Sequence, residues 1–272
     1  MRFILALVVV AMSASAAQFE VASIKSCADG NAAGRSTPPP RTSPGRVILE
    51  CRSVMQLIQE AYILFADGRF NYTSVPVRGG PGWLDSARYT INAKAEGDPG
   101  VETMMGPLLQ KLLEDRFQLK IHRETTQVSV YEMTVARRGA KMTRVEEGSC
   151  IPISLDRDLA PQAAGQPRPD VCGTGGFSRK APNTTINLHA ITLDDFAKKL
   201  AIVLGRPVID KTSIAGMFDF HLKFSADEGA GADDAAPSIF TALQEQLGLK
   251  FEQAKGPGES LVIDGVERPS EN

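Results

Sequence analysis

Three histidines and a few carboxylates are the residues with the means to do acid–base or metal chemistry. His122 stands in His122-Arg123-Glu124, His189 just ahead of a helical pattern, and His221 in Phe220-His221-Leu222. No two share one element at ligand spacing, so no metal ligand is assigned. The chain carries no G-x-S-x-G elbow, no Walker loop and no dinucleotide fingerprint, so no catalytic residue and no cofactor is assigned. Asp115-Arg116 and Arg123-Glu124 have the composition of an acid/base pair, because an arginine beside a buried carboxylate holds it in a defined ionisation state. Solvated ion pairs at element ends are the commoner use of such residues. A hydrolase built on this chain would use Asp115, His122 and Glu124.

Trp83, the single tryptophan, lies in Val77-Arg78-Gly79-Gly80-Pro81-Gly82-Trp83-Leu84. It suits a ligand platform, although a tryptophan pinned over the end of a core is commoner. Trp83, His122, Arg123 and Glu124 form the candidate binding set. Asp210-Lys211-Thr212 reads as a turn before a site. Asn71-Tyr72-Thr73 and Asn183-Thr184-Thr185 match the short glycosylation pattern.

Four cysteines allow three pairings. Cys27–Cys51 and Cys150–Cys172 are favoured, because each closes a polar segment with little core of its own. Zinc is the rival, but the cysteines are not in the close pairs of a zinc site. Export is expected from residues 1–16, where Arg2 precedes an apolar run and Ala14-Ser15-Ala16 supplies small residues for cleavage. A periplasmic or extracellular chain with no stable membrane span follows. The net charge of −2 and scattered basic residues exclude a nucleic-acid footprint.

The elements that must position these residues occur twice. Val47, Leu49 and Cys51, then Ser53, then Val54, Leu57, Ile58, Ala61, Tyr62 and Phe65 repeat as Ile186, Leu188 and Ala190, then Thr192, then Leu193, Phe196, Ala197, Leu200, Ala201 and Leu204. The shift is roughly 139 positions, and both helical sets follow i, i+3, i+4, i+7 behind a hydroxyl cap. Past the helix the shift falls to about 130: Tyr89, Ile91 and Ala93 match Phe218, Phe220 and Leu222, and Tyr131 and Met133 match Leu261 and Ile263. The expected fold class is α+β with two similar subdomains, each a β-α-β-β-α-β unit with two helices packed on a small mixed sheet. The expected division is residues 17–147, a linker over 148–183 that carries one disulfide, and 184–272. A strand is expected at residues 19–25 and a Pro-rich loop over 27–44. A second helix is expected over 104–117. Strands over 118–122 and 130–136 are expected to flank a turn region at 125–129. Residues 226–237 read as a surface loop.

Phe19-Glu20-Val21-Ala22-Ser23-Ile24-Lys25, Gly79-Gly80-Pro81-Gly82-Trp83-Leu84 and Leu113-Glu114-Asp115-Arg116-Phe117-Gln118-Leu119-Lys120-Ile121-His122-Arg123-Glu124-Thr125 resemble an exported family known as soil-associated in acidobacteria. Gly205-Arg206-Pro207-Val208, Phe218-Asp219-Phe220, Leu243-Gln244-Glu245-Gln246-Leu247-Gly248-Leu249 and Val262-Ile263-Asp264 extend the likeness over nearly the whole mature chain. That family carries a domain of unknown function, numbered 3738, and has no established activity to transfer. Similar modules fused to membrane peptidase-type sensors imply an extracytoplasmic sensing role. Each repeat also resembles, in pattern only, the short N-terminal domain of secretins and TonB-dependent receptors, which binds protein partners. The reading leans away from an enzyme and toward an exported cell-envelope interaction module, with an envelope protein or peptide as the expected partner. A secreted hydrolase and a small-ligand sensor near Trp83 are the alternatives.

Overall fold

The computed structural model describes residues 18–27, 38–71, 73–153, 155, 170–225 and 236–270. The expected signal peptide and residues 226–235 of the expected loop lie outside them. The fold is mixed α+β. The described strands form three four-stranded sheets: two outer sheets that are wholly antiparallel and a central one that is mixed.

The first outer sheet has the order β1 (Phe19–Ser26), β5 (Arg88–Ala95), β3 (Arg46–Ser53), β2 (Arg41–Ser43). Alternation sends Val47 and Leu49 of β3, and Tyr89, Ile91 and Ala93 of β5, into a core where each is no more than 5% exposed. At Cys51 the backbone turns left-handed (φ 46°), and the β3–β5 register slips between Leu49 and Arg52. Ser53 then caps α1 (Val54–Gln59). Its Oγ accepts from Gln56 N–H, and Gln56 Oε1 accepts from Ser53 N–H. The helix runs on as a π turn over Glu60–Leu64. Gln110 donates through Nε2 to Ala61 O and Ala66 O, so the neighbouring helix holds the chain where α1 widens. That neighbour is built from α2 (Val101–Thr103), a π turn (Met104–Leu108) and α3 (Leu109–Phe117), and it buries Leu109, Leu112, Leu113 and Phe117.

The second outer sheet has the order β7 (Thr143–Arg144), β11 (Phe218–Ser225), β9 (Asn183–Ile191), β8 (Gly175–Lys180). Here Ala190 is left-handed (φ 49°), and the β9–β11 register slips between Phe218 and Phe220. Thr192 Oγ1 accepts from Asp195 N–H and starts α4 (Leu193–Leu204). Phe196 of that helix stacks on Phe220 with ring centroids 4.0 Å apart. Two stretches expected as loop or linker contribute strands. β2 lies within 27–44 and pairs with β3, and β8 lies within 148–183 and pairs with β9.

The central sheet departs most from expectation. Its order is β10 (Val208–Asp210), β6 (Lys120–Val135), β12 (Leu249–Gly265), β4 (Val77–Gly79). The expected turn at 125–129 is strand. Thr125, Thr126 and Val128 are β-branched, no Gly or Pro interrupts β6, and every residue from Ile121 to Val135 pairs with β12. On β12, Pro257 sits opposite Gln127. Leu261 N–H points to the β4 side, where it meets Pro76 O, so odd positions of β12 face that side. β4 pairs only with residues 261–263, so the N–H that Pro257 lacks costs no ladder bond. The mixed sheet expected inside each unit is therefore a single shared one. β4 runs parallel to β12, and β10 runs parallel to β6. Gly79 allows this at one edge, because a Cβ there would lie 2.6 Å from Ile263 O at a φ of +79°.

α5 (Ile239–Ala242) continues as a π turn (Leu243–Leu247) that leads into β12. Two cores result. One gathers around β3, β5, α1 and α3, and the other around β9, β11, α4 and the turn at Leu243 and Leu247. The disulfides are Cys27–Cys51, with Cα atoms 5.8 Å apart, and Cys150–Cys172, with Cα atoms 5.3 Å apart, the pairing favoured from the sequence. Each lies at a strand bulge. Cys51 is the left-handed residue of β3, and Ala190 packs against Cys150 and Cys172. Among the described residues no helix is long and apolar enough to cross a membrane.

Arg52 and Glu60 meet at 3.3 Å with only 4% and 17% of their side chains exposed. Burial pushes the Glu60 carboxyl up, against the opposing pull of Arg52. Folding raises this pKa, so the group's contribution to stability is complete below the ordinary glutamate value and falls as pH rises through the folded one. Glu60→Ala strands a buried guanidinium and is expected to cost about 3 kcal/mol in urea unfolding at neutral pH, whereas the Arg52→Met/Glu60→Leu pair recovers most of that loss.

Candidate functional site

Three of the residues singled out in the sequence, His122, Arg123 and Glu124, lie at one end of the central sheet. His122 pairs across the ladder with Val262, Arg123 with Leu261 and Glu124 with Ser260. His122 donates through Nδ1 to Asp264 Oδ2 at 2.8 Å. Arg123 pairs with Glu259 and donates through Nη2 to Tyr62 O at 2.6 Å. Glu124 Oε2 lies 3.3 Å from Arg78 Nη2, which also donates to Ser260 Oγ. These are cross-strand partnerships between roughly half-exposed groups, and each charge is met by a neighbour of opposite sign.

The other candidates are engaged elsewhere. Asp115 pairs with Lys111 one helical turn away at 2.6 Å. Trp83 lies in a 3-10 turn (Gly82–Leu84), packs against the first core, and carries the Arg268 guanidinium 4.8 Å above its ring. Asp115, His122 and Glu124 are bonded to three different partners, not to one another. Among the described residues no group of three or more His, Cys, Asp or Glu is arranged to hold a metal ion.

A second place brings polar groups together that were not grouped from the sequence. The outward face of the second outer sheet carries Asn187 and His189 from β9, and Asp219 and His221 from β11. With Lys141 and Gln246 they line a groove of about 620 Å³. His189 donates through Nδ1 to Asp219 Oδ1 at 2.7 Å, and its Nε2 lies 3.0 Å from Asp170 Oδ1. Asp219 Oδ1 also accepts from Ala190 N–H at 3.0 Å, which pins the bulge. His221 donates through Nδ1 to Asn187 Oδ1. The apolar part of the lining is Met142, Leu188, Phe220 and Leu247. The alternation Phe218-Asp219-Phe220-His221-Leu222 carried the signal for this face, because it sends Asp219 and His221 away from the core.

The edge of β11 in this groove is only partly covered. Asp219 pairs with Thr143 of β7. Four residues on, Lys223 N–H donates to Gln246 Oε1 at 3.0 Å, and Gln246 Nε2 donates to Lys223 O at 2.8 Å. Residues two apart on a strand point their peptide groups the same way. His221 therefore directs its N–H and C=O into the groove, where they meet no partner among the described residues.

Because the pairs on the central sheet are half exposed, His122→Ala and Glu124→Gln are each expected to cost less than about 1 kcal/mol in urea unfolding. A loss of several kcal/mol from either would show that this end of the sheet does more than balance charge.

A family model described as Protein of unknown function (DUF3738) matches residues 55–266, from the first turn of α1 to just past β12. No curated protein and no solved structure matches the chain. With the match spanning most of the 272 residues and taking in the second core, most of the first, the central sheet and the groove, the chain belongs to the DUF3738 family.

Proposed function

We propose that this protein is an exported, non-catalytic binding module built from two copies of one unit, and that the groove on the second outer sheet takes its partner. Residues 17–147 and 184–272 are the two copies, and 148–183 joins them. Recurring pair registers support the duplication. Leu49↔Ile91 in the first sheet corresponds to Leu188↔Phe220 in the second, and Val47↔Ala93 corresponds to Ile186↔Leu222. The left-handed bulge recurs, and its N–H is capped from the neighbouring strand each time, by Thr90 Oγ1 at Cys51 and by Asp219 Oδ1 at Ala190. In the central sheet β10 lies beside residues 131–133 and β4 beside their counterparts 261–263.

Two disulfides and the leader-like N-terminus support export to the periplasm or beyond. The binding reading is favoured over hydrolysis because Asp115, His122 and Glu124 are each held by a different ion-pair partner. The observation that carries the choice of site is the uncovered His221 peptide group inside a concave, partly apolar groove.

A photo-crosslinking amino acid placed at His221 in the producing cells tests this. It is expected to trap one discrete envelope protein or peptide, while the same probe at Glu124 traps none. Trapping at Glu124 alone would move the site to the central sheet.

A further inference from the structure

We propose that the groove takes an extended peptide as an added strand on β11, and that this strand ends there in a free C-terminal carboxylate. The proposal rests on reading the chain as a binding module and names the class of partner. The first outer sheet shows what fills the matching position. There β1 pairs along β5 from Ser26↔Tyr89 to Phe19↔Ala95 and covers Asn92 and Lys94, the positions that correspond to His221 and Lys223. In the second sheet β7 covers only Phe218 and Asp219. Toward its N-terminal side the chain leaves the sheet, because Lys141 N–H donates to Leu247 O at 2.9 Å instead of continuing the ladder. A strand's width is thus left open beside His221.

Gln246 fills one rung of that gap. Its side-chain amide offers Lys223 one acceptor and one donor, as a strand residue would. An incoming strand displaces it and gains the His221 rung as well. Main-chain bonds of this kind give affinity without demanding one side-chain sequence. Side chains on the inner face would meet Met142, Phe220 and Leu247, as Ala22 and Ile24 of β1 meet the first core. Those on the outer face would lie beside His221 and Asn187.

The end of the segment is set by β7. A strand antiparallel to β11 runs in line with β7 and heads into Thr143, which already occupies the Asp219 rung. The segment must stop there. Lys141 lines that end of the groove, with its Nζ 2.6 Å from Glu245 O, and His221 lies beside it. Cationic and N–H donors at the blocked end complement a carboxylate.

The probe is the N-acetylated peptide of residues 19–24 with a free carboxylate, the segment that occupies the matching place in the first sheet. It is titrated into the full chain by calorimetry, with amide hydrogen exchange read at His221. Binding with protection of the His221 amide is expected. N-methylation at Ser23, which faces Asn92 in the first sheet, is expected to weaken binding about tenfold by removing one ladder bond. A C-terminal amide is expected to weaken it about fivefold. Gln246→Ala is expected to tighten it about tenfold, because no side chain then competes for Lys223.

Absence of binding to both the native chain and the Gln246→Ala variant overturns the proposal. So does binding that is indifferent to N-methylation and leaves His221 exchanging. Equal affinity for the carboxylate and amide peptides overturns the carboxylate end. If crosslinking at His221 still traps a partner in those cases, the binding-module reading survives and only strand addition falls.

Discussion

The two-stranded ribbon of β6 and β12 is the constraint from which the rest follows. Each strand leaves a helix of one half and runs the length of the central sheet. Leu119 and Ile121 at the start of one share a core with Leu261 and Ile263 at the end of the other. At the opposite end Met133 joins Leu249 and Phe251. Each core therefore depends on both strands. β4 and β10 strengthen the dependence by pairing with the long strand of the opposite half. Shifting the ribbon by one residue would turn Leu261, Ile263 and Met133 out of both cores at once.

Each outer sheet has a left-handed bulge just ahead of a helix. The bulge before each helix re-aims the chain from strand to cap, and a polar side chain from the neighbouring strand satisfies its free N–H. In the first sheet that bulge is also a disulfide partner, and the edge is closed by an eight-residue strand. In the second the edge strand has two residues, and a glutamine side chain covers one rung. An open edge is a hazard for aggregation unless it is short or covered. At this edge of β11, among the described residues, the open length is the His221 peptide group, which keeps the hazard small there and still leaves a place for a strand to enter.

Much of this was legible in the sequence. The helix faces were, because Val54, Leu57 and Ile58 and then Leu193, Phe196, Ala197 and Leu200 fall at helical spacing and are all buried. The disulfide pairs were, because each closes a polar segment with little core of its own. The unbroken ribbon was not. Thr125, Thr126, Gln127 and Ser129 are polar enough to read as a turn, and only pairing with β12 makes them strand. The pairing of β4 with β12 and of β10 with β6 was equally hidden, since pairing between segments so far apart along the chain leaves no local pattern. His122 was expected on a strand, with Arg123 and Glu124 at its end, whereas β6 runs on through all three. Their partners Asp264, Glu259 and Arg78 come from segments far away along the chain. The groove was missed because it arises from where β7 leaves the sheet, which a hydrogen bond from Lys141 to Leu247 decides.

If the ribbon binds both cores into one cooperative unit, neither half can melt while the other stays folded. Trp83, the only tryptophan, reports the first core, and amide exchange across β9 and β11 reports the second. The most direct measurement follows both through urea unfolding of the full, disulfide-intact chain. The shared central sheet predicts one midpoint and one denaturant slope for the two reporters. Separate midpoints, with the β9 and β11 amides still protected after Trp83 has become exposed, would contradict it.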